Sequence, residues 1–388
     1  MYTIQTLNRI SDCIREVLPE ERYRIDEAAQ APDAVLVRSA DMHGMEAPRS
    51  LLAVARAGAG YNNIPVDEYT KRGVCVFNTP GANANAVAEL VLLGLLLSGR
   101  RVVDGIEWAR TLREREGVPG LVEKGKGRFA GPELRGKTLG VIGLGAIGIL
   151  VANAAAQGLG MTVLGEDPFI SVQHAWSLSR AVQRVDSVEE ILAQSDFVTV
   201  HVPLSEKTCG MIDSAALARM KPGARLLNFS RAELVDGEAV RAALQAGKLA
   251  AYITDFPTDD MLGAPGVVCI PHLGASTPES EENCARMAAE ELRAYLETGS
   301  IHNSVNLPEM QLGRPEGARL QVIHANAPGM VSRISAIISG EGINIENMTN
   351  KGRGDWAVTV LETDQPLPES AMEALRALPQ AVRVRAVL

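Results

Sequence analysis

Short apolar runs rich in β-branched residues alternate with longer segments of helical period through the first part of the chain. Ala34–Arg38, Leu51–Ala55 and Val74–Phe77 are such runs, each bounded by Gly, Pro or Asn. Runs of this length suit strands buried on both faces, and strand–helix alternation builds a parallel sheet. Ala86–Arg101 is apolar nearly all round, the pattern of a helix buried between domains or subunits. The Gly- and Lys-rich stretch Gly117–Gly131 reads as a loop.

A second series begins at Thr138–Ile142. Its later strands are Thr162–Leu164, Phe197–His201, Ala224–Phe229, Ala250–Thr254 and Val267–Ile270. Six strands with helical segments between them match a doubly wound, Rossmann-type nucleotide domain. Pro278–Glu297 is a charged amphipathic helix leading back to the first domain, and a polar linker with Gly313, Pro315 and Gly317 follows. The remainder restarts as strand Arg319–His324, helix Gly329–Glu341, strand Ile343–Thr349, strand Ala357–Glu362, helix Pro368–Leu378 and strand Ala381–Leu388. That βαββαβ order is ferredoxin-like. The expected class is therefore α/β: two doubly wound parallel-sheet domains, the first flavodoxin-like, and a small ferredoxin-like one.

Composition narrows the function. The 388 residues are 46% hydrophobic and 22% charged, which excludes wholesale disorder and collagen-like repeats. Thirty-six glycines with 4% aromatics favour a turn-rich α/β chain over an aromatic-rich β sandwich. With 38 Lys+Arg against 47 Asp+Glu, the net charge of −9 lacks the footprint of a nucleic-acid binder. Cys13, Cys75, Cys209, Cys269 and Cys284 are scattered without metal-like spacing, so a reduced compartment and no metal are expected. Met1–Ile10 has no signal pattern, and the longest apolar stretch, Val87–Leu97, is too short for a bilayer. The expectation is a cytoplasmic protein without a membrane role.

Gly143-Leu-Gly145-Ala146-Ile147-Gly148 directly follows a strand and opens a helix. In a dinucleotide site the first Gly permits the tight turn, the second admits the pyrophosphate and the third lets helix and strand pack closely. About twenty residues on stand Glu166 and Asp167, acids at a strand end that suit the ribose hydroxyls and repel a 2′-phosphate, so NAD is favoured. The motif alone leaves open whether Glu166 or Asp167 faces the ribose.

Oxidising a hydroxy acid needs a cation for its carboxylate, a base for the hydroxyl proton and a carboxylate to tune that base. Three successive strand ends supply them: Arg231, the acids Asp255, Asp259 and Asp260, and His272. An Arg fork suits a carboxylate. A lone His is more often packed or on the surface than a base; its company here argues against that.

With Leu139–Gly148, His201-Val202-Pro203, Asn228–Asp236 and Pro271–Thr277, and with Asn78-Thr79-Pro80 and Val87-Ala88-Glu89 before them, the chain resembles the D-isomer-specific 2-hydroxyacid dehydrogenase family over roughly its first three hundred residues. The resemblance implies a substrate domain of 1–86 and 276–312 and an NAD-binding domain of 87–275, with the active site in the cleft between them. It implies that Arg231 binds the substrate carboxylate, His272 is the acid/base and Asp259 is its partner. Counting from Asp255 selects Asp260 instead. Ala232 stands where the family usually has Gly, and Thr254 where it usually has Asp; Asp255 is expected near the nicotinamide amide. His201, Val202, Pro203, Phe229, Ser230 and Gly274 complete the implied cofactor set.

For the substrate, the resemblance favours Arg38 and Ser39 for a phosphate and the backbone N–H groups of Gly58-Ala59-Gly60 for the carboxylate. It brings Lys126 across from a neighbouring subunit of a homo-oligomer. Lys124, Lys126 and Arg128 read equally well as a solvated loop. Residues 318–388 resemble an ACT domain, a ligand-binding regulatory module. Its implied effector is L-serine, held by His324, Asn326 and Asn344; the two Asn alone would also suit turns. The function implied is NAD-dependent oxidation of a phosphorylated 2-hydroxy acid, 3-phospho-D-glycerate. Another D-2-hydroxy acid such as 2-hydroxyglutarate is the near alternative, and a non-catalytic NAD sensor the distant one.

Overall fold

The computed structural model describes residues 1–315 and 317–387. It divides into two units, Met1–Asn83 with the chain from Pro278 onward, and Ala84–Thr277.

The first unit opens with five parallel strands, β1 (Tyr2–Leu7), β2 (Tyr23–Ile25), β3 (Ala34–Val37), β4 (Ala53–Arg56) and β5 (Cys75–Asn78), in the order β2-β1-β3-β4-β5. β3 to β5 are the continuous apolar runs of the sequence. The pattern does not reveal β1, whose Thr3, Gln5 and Thr6 interrupt the apolar positions, or β2, which is three residues long. The helix Pro278–Thr298 buries Cys284, Ala285, Ala288, Ala289, Leu292, Tyr295 and Leu296 against Ile4, Leu36, Ala55 and Phe77. Small residues along one helix face let it lie close to the strands.

The second unit holds seven parallel strands: β6 (Thr138–Ile142), β7 (Thr162–Glu166), β8 (Val182–Arg184), β9 (Phe197–Val200), β10 (Ala224–Asn228), β11 (Leu249–Thr254) and β12 (Val267–Cys269). Their order, β12-β11-β10-β9-β6-β7-β8, reverses between β6 and β9. At such a reversal a crevice opens at the carboxyl ends of the strands. The expected count of six missed β8, an edge strand with one half-buried position and two exposed ones. The helix Ala84–Gly99 packs Val87, Val91 and Leu95 against Val141, Leu227, Phe229 and Ile253, while Leu93 and Leu96 remain exposed. The stretch read as a loop is instead a helix, Val118–Gly125, and a 3-10 turn, Lys126–Phe129. Pro119 sits in its first turn and Gly117, at φ +69°, supplies a left-handed entry. The Trp108 and Phe129 rings, 5.3 Å apart, brace it.

Back in the first unit, β13 (Ala318–Ala325), β14 (Ile345–Arg353), β15 (Trp356–Thr363) and β16 (Ala381–Val387) form an antiparallel sheet in the order β14-β15-β13-β16. Leu388, expected in the last strand, lies outside the described residues. Helices Met330–Gly340 and Glu369–Arg376 cover one face, over Leu320, Val322 and Leu361. The other face sends Ile323, Val358 and Val360 into the same core as Tyr295 and Leu296. The small domain is therefore built onto the first sheet's helix as well as joined by the linker. Arg385 donates to Tyr295 O at 2.6 Å and lies 4.1 Å over its ring. Arg319 donates to Thr298 O and Gly313 O, each at 2.7 Å. Among the described residues no helix is long and apolar enough to cross a membrane.

Glu291, on the long helix, is 4% exposed. Asn303 donates to its Oε1 at 2.8 Å, while Oε2 has no partner. Burial pushes its pKa up to about 8, Glu290 adding to the effect. The folded state then binds the proton more tightly than the unfolded chain, so this group's contribution to stability falls as pH rises from the ordinary carboxylate range to about 8. Glu291→Gln is expected to remove on the order of a few kcal/mol of that pH dependence. Melting curves taken between pH 5 and 9 check it; parallel curves for both proteins would contradict it.

Candidate active site

The Gly-rich turn lies at the carboxyl end of β6, beside the strand-order reversal. Gly143 has φ +93°, and a Cβ there would meet His201 O at 2.6 Å. A Cβ on Gly148 would lie 2.0 Å from Gly143 O. Packing alone therefore demands both glycines. A Cβ on Gly145 would meet nothing within 4 Å, so its missing side chain leaves open space at the amino end of the helix Ala146–Gln157. That is a cradle for a phosphate. Asp167 accepts from Leu144 N at 2.9 Å and Phe169 N at 2.8 Å, which ties the acid to the turn and leaves each oxygen a lone pair for a hydroxyl. Nε2 of His201 lies 3.0 Å from Thr199 Oγ1, and its buried Nδ1 has no partner. Burial keeps that imidazole neutral, its pKa down to about 4.

The chemistry-bearing side chains follow β10, β11 and β12. Asn228, fully buried, staples the first turn: its Oδ1 accepts Ser230 N–H at 3.1 Å and its Nδ2 donates to Arg231 O at 2.7 Å. Ser230 Oγ donates to Val200 O at 2.8 Å, and Arg231 Nη1 to Ser230 O at 2.6 Å. Asp255 is 1% exposed, with Oδ1 unpartnered. Burial raises its pKa to about 6 against the pull of Arg231. Its Oδ2 would be 3.5 Å from a Cβ on Gly274, so that glycine keeps the way to the carboxylate clear. An orphaned buried carboxylate oxygen asks for a donor, and the carboxamide of a nicotinamide is one. Phe256 lies between the Arg231 guanidinium, 5.9 Å from its ring centroid, and the His272 ring, 4.6 Å from it. Asp260 pairs with Arg241 at 3.1 Å and accepts from Thr258 at 2.6 Å. Asp259 is exposed and takes part in neither contact.

In the first unit, Asn8, at φ +68°, accepts the N–H groups of Ser39 and Ala40 at 3.1 and 2.5 Å and so shapes the turn carrying Arg38. Arg38 pairs with Glu281 at 2.7 Å. Strand register sets Val37 opposite Arg56, whose Nε donates to Arg38 O at 3.1 Å. Sequence reading passed over Arg56, because only the β3–β4 pairing brings the two arginines together. The Arg56 guanidinium folds over Gly58, where a Cβ would lie 1.8 Å from it. Gly58 N–H is held by Arg56 O at 2.8 Å, so that one member of the expected N–H trio is already engaged; Ala59 and Gly60 remain. Lys126, in the second unit, pairs with Glu123 at 2.5 Å.

In the small domain, His324 is 2% exposed; Nδ1 lies 2.8 Å from Ala325 O and Nε2 2.8 Å from Thr359 Oγ1. Asn326 and Asn344 are exposed; Asn326 donates to Gly354 O at 3.1 Å.

Residues 94–274 match the model described as D-isomer specific 2-hydroxyacid dehydrogenase, NAD binding domain, and residues 318–380 match the ACT domain. The chain belongs to the D-isomer specific 2-hydroxyacid dehydrogenase family and is an NAD-dependent dehydrogenase. It is similar to the D-3-phosphoglycerate dehydrogenase of Escherichia coli strain K12, with 34% identity over 354 residues that cover 88% of this chain and 82% of the relative. The enzyme of that name from Mycobacterium tuberculosis strain H37Rv is 37% identical over 303 residues, covering 76% of this chain and 55% of the relative. Among solved structures, the NAD+-bound 3-phosphoglycerate dehydrogenase of Entamoeba histolytica has a TM-score of 0.61 at 26% identity, over 79% of this chain and 98% of that one.

The three glycines are expected to separate under substitution. Gly145→Val should fold and weaken NAD binding at least tenfold, because its side chain fills the phosphate cradle. Gly148→Val should fail to fold, because no neighbour can yield. Titration with NAD, followed by protein fluorescence, together with melting curves checks both; unchanged affinity in Gly145→Val would contradict the assignment.

Proposed function

We propose that this dehydrogenase oxidises 3-phospho-D-glycerate to 3-phosphooxypyruvate, the first step toward L-serine, and that serine inhibits it. The observation that carries the chemistry is the grouping of Arg231, Asp255 and His272 around Phe256 at adjacent strand ends. The substrate reading draws on relatives named for that substrate and on the proximity of Arg56 in β4 to Arg38 after β3.

When bound, NAD accepts the hydride that leaves C2 of the substrate. Gly145 would receive its pyrophosphate, Asp167 its ribose and Asp255 its carboxamide, with His201, Val202, Pro203, Phe229, Ser230 and Gly274 around them. Arg231 binds the substrate carboxylate and polarises the C2 oxygen. His272 takes the hydroxyl proton; Asp259 orients the imidazole, since Asp260 is already paired with Arg241. Arg38, Ser39 and Arg56 bind the phosphate, and the N–H groups of Ala59 and Gly60 assist at the carboxylate. Lys126 exchanges Glu123 for substrate of a neighbouring subunit.

The exposed Leu93 and Leu96 support a homo-oligomer built on the helix Ala84–Gly99. Residues 1–86 and 276–312 serve the substrate, 87–275 the cofactor, and the ACT domain the effector, through His324, Asn326 and Asn344. The acidic chain, with scattered unpaired cysteines, suits the cytoplasm.

His272→Ala should cut kcat/KM for phosphoglycerate about a thousandfold while NAD binding is kept. Turnover surviving that change would remove the base assignment. L-serine should slow NADH formation by the native enzyme, and Asn344→Ala should lose this response without losing activity. No NADH from phosphoglycerate, with NAD bound normally, would transfer the reading to another D-2-hydroxy acid or to a sensor.

A further inference from the structure

We propose that Phe256 is a positioning residue that fixes the orientation of Arg231 and His272 together. The proposal rests on the assignment of those two residues as the carboxylate anchor and the base.

Phe256 is a large apolar side chain that no hydrophobic core of the second unit contains. It is half-buried at the carboxyl end of β11, where Thr254 Oγ1 accepts its N–H at 3.1 Å. Thr254 is itself 1% exposed, so the turn presenting the ring is anchored in the sheet. The His272 ring lies 4.6 Å from the Phe256 ring at an interplanar angle of 49°, and the Arg231 guanidinium carbon lies 5.9 Å from the Phe256 centroid. The ring also borders a cavity lined by Ala232, Val235, Tyr252 and Met261. Its aromatic neighbours are thus the two groups that must meet opposite ends of one small reaction centre.

Both neighbours are exposed and sit on loops. An imidazole and a guanidinium in such places lose much rotamer freedom on being held for reaction. An aromatic ring restrains both without competing for their hydrogen bonds, and its negative face attracts the guanidinium and favours an imidazolium beside it. Its location on the short segment between Thr254 and the paired Asp260 makes it common to the base and the anchor. A shift of the ring therefore disturbs kcat and KM together, as a core residue's loss of stability would not.

The test uses the full chain with NAD and the hydroxy acid it turns over. Phe256→Leu is expected to lower kcat about 10- to 100-fold and to raise KM, with the dissociation constant for NAD unchanged. The acidic limb of the kcat/KM profile should move down by about half a pH unit, because the imidazolium loses the ring's favourable quadrupole. Phe256→Tyr should restore both kinetics and limb. Phe256→Met, of similar volume, should show the same limb shift with the melting temperature unchanged, which separates positioning from packing. Native kinetics and an unmoved limb in Phe256→Leu and Phe256→Met, beside an inactive His272→Ala, would overturn the role of Phe256 and leave the catalytic assignment standing. An active His272→Ala would overturn the assignment itself.

Discussion

The second unit depends on one close approach of main chain to main chain. At the end of β6 the turn at Gly143 passes under His201 O, and the helix it opens returns so near that Gly148 would place a Cβ 2.0 Å from Gly143 O. Only glycine at both positions permits β6, β9 and the helix to converge, and that convergence sets the amino end of the helix at the point of strand reversal. The anion site is a by-product of backbone packing: unpaired N–H groups and the helix dipole collect where three segments meet. Gly145 stands apart, because no protein atom explains it.

The acid/base end is constructed differently. There the strands run out side by side, and each following turn is held by a polar side chain rooted in the sheet. Asn228 serves the turn of Arg231, and Thr254 the turn of Asp255 and Phe256. Both roots are buried, with a sheet's stiffness behind them, while the groups they present are exposed or face an unfilled space. The cost of this arrangement is visible at Asp255, whose carboxyl pKa burial pushes up to about 6 and whose Oδ1 meets no protein donor. Desolvation unpaid by a hydrogen bond is tolerated where a ligand completes the set.

What could be read from the sequence follows from range. β3 to β7 and β9 to β11 are largely buried and declare themselves as apolar runs, as does the short edge strand β12. β1 carries alternating polar residues and β2 and β8 are three-residue edges, so periodicity passes over them. The placement of the glycine motif, Arg231 and His272 after strands was legible because it is local to a strand end. Arg56 was not, since it acquires meaning only through its register with Val37. The bonds of His324 to Ala325 and Thr359 are likewise tertiary facts that no sequence pattern announces. The helix at Val118–Gly125 was hidden by glycines and lysines that penalise a helix locally, while Trp108 and Phe129 compensate from outside it.

The small domain follows the same logic of shared surfaces. The two helices of the βαββαβ unit cover one face of its sheet. Ile323, Val358 and Val360 take the other cover from the helix Pro278–Thr298, whose opposite neighbours are the strands of the first sheet. That helix therefore belongs to two cores at once. Arg319 and Arg385 seal the seam by donating to the carbonyls of Thr298 and Tyr295 at its C-terminal end. Its first turn carries Glu281, the partner of Arg38. One helix thus shares a core with the small domain's sheet and, near its first turn, pairs with Arg38 after β3.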